Sequence, residues 1–148
     1  MLRLLLALLA TIVWSGTAAA AEPIGQVKVA TGAVTVSRGG TRESLTTGDH
    51  VFQADVITTG PDGSVGITFA DNSRLSLGPS SELVIMRFLF NTTTHEGAFD
   101  SYLRKGTLAV KSGQIVEQTP EAMTITIPAA VLGIRGTELV VRAEGDPQ

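Results

Sequence analysis

Apolar and polar side chains alternate with period two along much of this chain from Gly25 onward, and each such run predicts a half-buried β-strand. Val27 and Val29 mark the first run (25–30), and Val34 and Val36 mark the second (32–38). Gly39-Gly40 then predicts a hairpin turn, because both positions accept positive φ. A strand end and turn at 45–49 leads into Val51-Phe52 and a further strand at 55–59, closed by the four turn formers Gly60-Pro61-Asp62-Gly63. The most regular hairpin follows, with Val65, Ile67 and Phe69 on one arm, Asp71-Asn72-Ser73 at the turn, and Leu75 and Leu77 on the return.

Residues 82–90 depart from this pattern. Leu83, Ile85 and Leu89 fall on one face of a regular strand, and Val84, Met86, Phe88 and Phe90 fall on the other. Such a strand is either covered on both sides or exposes the second set as a patch for a protein partner. The polar stretch 91–97 reads as a mobile loop, and short strands are expected at 99–103, 108–110 and 114–117, punctuated by Gly106 and Gly113. Alternation at 123–127 runs into Ile127-Pro128-Ala129-Ala130-Val131-Leu132-Gly133-Ile134-Arg135-Gly136-Thr137 and then into a last alternating run at 138–142. Pro128, Gly133 and Gly136 exclude a helix interior. This stretch is read as a strand, a tight corner and a final strand, and as the element around which the chain is organised. Gly133 and Gly136 are expected to be backbone requirements of the corner. Arg135 has five donors with which to pin it to a carbonyl or carboxylate, or else it faces a partner.

Short strands with turns every 8 to 12 residues or so predict an all-β roll, sandwich or short solenoid-like arrangement. A βαβ architecture is excluded, since no 3.6-residue apolar period extends over ten residues beyond the N-terminal segment. A loose likeness links Gly32-Ala33-Val34-Thr35-Val36 with Gly63-Ser64-Val65-Gly66-Ile67, read as recurrence of a hairpin unit.

The N-terminus changes this picture. A basic start with Arg3, an apolar run at 4–14 and four alanines at 18–21 have the order of a secretory signal peptide, with a helical apolar part too short for a membrane span. The expected division is a signal peptide at 1–21, a β-domain at 22–143 and a C-terminal tail at 144–148. Cleavage before Glu22 leaves ten basic against fourteen acidic residues, a net charge of −4, so nucleic acid is an unsuitable partner. Cysteine is absent, which rules out disulfides, thiolate chemistry and a Cys-linked lipid.

Candidate chemistry is sparse. His50 and His95 sit in turn settings without ligands at zinc-site spacing, and Asp49, Asp55, Asp62 and Asp71 lie near turns without the dense oxygen pattern of a calcium loop. No Gly-x-Ser-x-Gly elbow occurs, and no carboxylate pair stands out. Neither a cofactor nor a metal is expected, and the chain is not read as an enzyme.

From end to end the sequence resembles the FecR family of bacterial envelope proteins. The likeness runs through residues 32–40, 45–49, 55–60 and 63–69, Asp71-Asn72-Ser73-Arg74-Leu75, Ser81-Glu82-Leu83, Phe88-Leu89-Phe90, Lys105-Gly106-Thr107-Leu108 and 128–137, and covers about 25–143. Where the family pattern has Thr-Pro before the last corner, this chain has Ile127-Pro128. The resemblance implies an all-β periplasmic module, best known from regulators that relay iron-uptake signals from an outer-membrane transporter to a cytoplasmic sigma factor. Those regulators carry a cytoplasmic segment and a membrane helix ahead of the module. Here a leader is read in that place, so the relay role is not carried over whole. What remains is a noncatalytic periplasmic or secreted module that recognises an envelope or periplasmic protein; the alternative is a structural component of an envelope or secreted assembly.

Overall fold

The computed structural model describes residues 15–16 and 21–145; the expected signal peptide lies almost wholly outside these, as do the tail residues 146–148. The described residues form β1 (Gly25–Thr31), β2 (Val34–Arg38), β3 (Thr41–Ser44), β4 (His50–Val51), β5 (Val56–Thr59), β6 (Ser64–Phe69), β7 (Arg74–Leu77), β8 (Glu82–Phe90), β9 (Gly97–Lys111), one helical turn α1 (Gln114–Gln118), β10 (Met123–Ile127), β11 (Ala130–Gly133) and β12 (Glu138–Ala143). The fold is all-β, a curled, largely antiparallel half-barrel with 56% of residues in strands.

Both layers share β9. Its first part, 97–105, pairs with β8 on one side and with β10, in parallel, on the other. Its last part, 106–111, pairs with β7 and β12. One layer therefore runs β11-β10-β9-β8-β5-β2-β3, and the other runs β12-β9-β7-β6-β1-β4. Gly106 sits at the changeover with φ +95, and a Cβ there would overlap the side chain and backbone of Ser81. The expected strands 99–103 and 108–110 are thus one strand, because Gly106 bends it rather than ending it.

The two layers meet across an aromatic cluster in which Phe99 lies 4.6 Å from Phe69 and 5.0 Å from Phe88, ring centre to ring centre, both edge-on. The related segments at Gly32 and Gly63 also have a place in this architecture. Each marks a point where the chain crosses between layers, β1 to β2 and β5 to β6. The crossings clasp: a Cβ on Gly32 would strike the Asp62 carbonyl, and one on Gly63 would strike the Ala33 carbonyl. Gly60 N–H donates to that same Ala33 carbonyl at 2.8 Å.

Two expectations need correction. Residues 114–118 are a helical turn, not a strand, since Asp71 takes up its leading amides: the Asp71 carbonyl accepts from Gln114 N–H at 2.8 Å, and its carboxylate accepts from Ile115 N–H at 3.4 Å. The organising element is β9 rather than 127–137. Within 128–137 only Ile134 is buried, because β11 is an outer strand paired to β10 alone.

Candidate interaction surface

Most buried polar side chains brace turns and strand ends. Asp55, fully buried, accepts from Arg38 Nε at 2.8 Å and Nη2 at 2.7 Å, and from Phe52 N–H at 2.8 Å. The guanidinium also lies 4.4 Å over the Phe52 ring. Its hydrogen bond to Asp55 raises the Arg38 pKa despite the opposing effect of burial. At the turn before β7, the Asp71 carboxylate accepts from Ser73 N–H at 3.0 Å and Oγ at 2.6 Å, and Ser73 Oγ accepts from Gly113 N–H at 3.1 Å. Where β7 passes into β8, Thr59 Oγ1 donates to the Gly78 carbonyl at 2.7 Å and accepts from Ser81 N–H at 2.9 Å, while Ser81 Oγ accepts from Thr107 N–H at 3.0 Å. In the sequence these residues are turn formers or strand ends. Their spacing in the chain, 17 residues from Arg38 to Asp55 and 26 from Ser81 to Thr107, carries no local signal.

The proposed patch on β8 is divided by the structure. Register runs Ile85↔Ser101 and then Arg87↔Asp100, so Met86 is an extra residue in a β-bulge. One extra residue inverts the alternation beyond it. Phe88, expected outside with Met86, is core at 5% exposure; Leu89, expected on the opposite face, is 54% exposed. Met86 is 55% exposed, while Val84 and Phe90 are half-buried. The inversion also aligns Arg87, Asp100 and Thr124 across three strands, joined by bonds of 2.7 Å and 2.6 Å at the central carboxylate.

Beyond the bulge, β8 outruns its neighbour. β5 pairs with β8 only as far as Val56↔Val84, and Gln53 takes over, its Oε1 accepting from Phe88 N–H at 3.1 Å. The space left beside β8 is a cleft of about 510 Å³ walled by Pro23, Ile24, Phe52, Gln53, Ala70 and the 88–90 segment. The stretch 91–97, expected to be mobile, is closed on itself at the end of β8. Asn91 Oδ1 accepts from Thr93 N–H at 2.8 Å and Thr94 N–H at 3.1 Å, Asn91 N–H donates to the Glu96 carbonyl at 2.9 Å, and His95 stacks on Phe90.

The last corner has lesser structural weight. Pro128 and Ala129 form the two-residue turn between β10 and β11. Arg135 pairs with Glu121, with both side chains largely exposed, and Gly136 and Thr137 lend their carbonyls to Ser112 at 2.8 Å each. Gly136 has φ +95, whereas Gly133 lies outside the left-handed region with nothing near its missing Cβ. Gly136→Ala should therefore cost about 1–3 kcal/mol through backbone strain, while Gly133→Ala stays within about 0.5 kcal/mol. Urea unfolding of the two variants side by side checks this, and equal midpoints would refute the distinction.

Among the described residues, no group of three or more His, Asp or Glu side chains is placed to hold a metal, and no helix is long and apolar enough to cross a membrane. The half-barrel is thus an all-β module whose buried charges and hydroxyls brace the fold, with an apolar cleft at its rim. The chain belongs to the FecR family: the family model described as FecR protein matches residues 55–148, which takes in β5 to β12. All three polar clusters have members in that span. No curated protein and no solved structure matches the chain.

Proposed function

We propose that this chain is a noncatalytic, signalling-related module that works outside the cytoplasm by holding an envelope protein against the cleft beside β8. Family membership supports the signalling-related part. The order of basic, apolar and small residues at 1–21 supports export. The observation that carries the reading is the cleft itself: about 510 Å³, with exposed Leu89 at its edge and half-buried Phe90 beside it. An exposed leucine beside a preformed apolar recess is suited to a partner that inserts one or two apolar side chains.

The test uses chain recovered from a periplasmic fraction, with its intact mass measured to locate the first residue near Glu22, as bait against an envelope fraction. The unaltered chain should retain a partner, and Leu89→Asp should lose it while its unfolding midpoint moves by no more than about 0.5 kcal/mol, as for an exposed site. Capture that survives Leu89→Asp would refute the cleft as the contact surface. An uncleaved mass would refute export by signal-peptide removal.

A further inference from the structure

The outer edge of β12 is complementary to itself. β12 pairs with β9 only, and its far side is hydrogen-bonded to no other strand among the described residues. Ser112 N–H donates to the Thr137 carbonyl at 2.8 Å, so these opposed residues form a hydrogen-bonded pair. Antiparallel alternation then turns the N–H and C=O groups of Leu139, Val141 and Ala143 toward β9 and those of Glu138, Val140 and Arg142 outward. The other side of β9 agrees: the Thr107 carbonyl accepts from Gly78 N–H at 3.0 Å, so alternate residues 106, 108 and 110 face β12. Side chains follow the same alternation. Val141 and Ala143 are buried, whereas Glu138, Val140 (70% exposed) and Arg142 lie on the outer face.

We infer that two copies of this chain join β12 to β12 in antiparallel fashion about a two-fold axis at Val140, placing Glu138 of each copy opposite Arg142 of the other. The two charges lie two residues either side of Val140, so the register that centres Val140 on itself also brings both opposite-charge pairs into direct cross-strand position. That register also opposes three residues whose backbone groups all point outward, giving about six new hydrogen bonds. An isologous contact of this kind closes at two copies. It fuses the β12-containing layers of the two copies into one continuous sheet.

The other sheet edges lack this match. β4 has two residues, and β11 carries no charge to set a register. On β3 the opposite charges are the neighbours Arg42 and Glu43. One turns its backbone groups outward and the other inward, so a two-fold pairing cannot oppose them. Charged side chains on an edge ordinarily deter pairing. On β12 their signs and symmetry favour it with a second copy.

This inference does not rest on the cleft, which lies beside β8 in the other layer. Sedimentation equilibrium of the full chain across a concentration series tests it, with circular dichroism checking that each variant is folded. The unaltered chain should dimerise. Glu138→Arg sets two like-charge pairs across the junction and should weaken the dimer about tenfold or more, and the double variant Glu138→Arg with Arg142→Glu should restore it. Val140→Lys, at an exposed position, should also give monomer and serves if Glu138→Arg fails to fold. A chain that stays monomeric at every concentration, a dimer indifferent to both single variants, or a double variant that does not recover would each overturn the proposal.

Discussion

Phe88→Ser should lower the stability of this domain by about 3–5 kcal/mol, as for removal of a buried aromatic ring. Phe88 packs against Phe69 from the other layer and Phe99 from β9, so the substitution opens a cavity where the layers touch. It also buries a hydroxyl, which adds a desolvation cost unless a partner is found. Phe90→Ser should cost less, since that ring is half-buried and stacks on His95 near solvent. Urea denaturation of both variants measures the difference. A stable Phe88→Ser chain that has lost its partner would instead return Phe88 to the contact surface and contradict the bulge at Met86.

Arg38→Ala should cost about 3 kcal/mol, at the low end for breaking a buried ion pair because the guanidinium is 40% exposed. Asp55 would keep the Phe52 N–H and lose both bonds from Arg38, leaving a fully buried carboxylate with one of its three hydrogen bonds. Arg38→Lys should recover only part of the loss, since an ammonium cannot reproduce the two-pronged contact. The double variant Arg38→Ala with Asp55→Ala should be less damaged than the sum of the single changes, because the second removes the charge that the first strands. Thermal or urea unfolding of all four chains closes the cycle. Strict additivity would show that the pair is not coupled.

Local pattern and spatial arrangement were legible in the sequence to different degrees. The alternations at 64–69 and 123–127 report which side chains are buried, because each is a regular strand with one covered face. At 25–30 the register shifts between Val27 and Val29, so Val27 is buried and Val29, expected on the same face, is exposed. Gly39-Gly40 reported its hairpin because both residues do adopt positive φ. Strand 8 misled because a bulge adds one residue to one strand of a pair, and that addition leaves no mark in composition. The helical turn at 114–118 is not legible in the sequence because five residues are too few to display a helical period. Asp71 and Ser73 read as turn formers, which they are, yet their second task of fixing Gly113 and Ile115 involves residues about forty positions away. The cleft was out of reach for the same reason: Ile24, Phe52, Ala70 and Leu89 meet only after both layers have formed.

Because β9 belongs to both layers, neither can be completed alone. The strands of the first half of the chain, β1 to β7, include members of each layer, yet they lack a shared centre until residues 97–111 dock. The decisive event in folding is therefore the seating of a late segment between partners that come before and after it in the chain. Such non-local closure is slow relative to forming local hairpins. Opening follows the same logic in reverse. Withdrawing β9 takes a strand from both layers at once, so the domain should open as a single cooperative unit and not as two halves that loosen in turn.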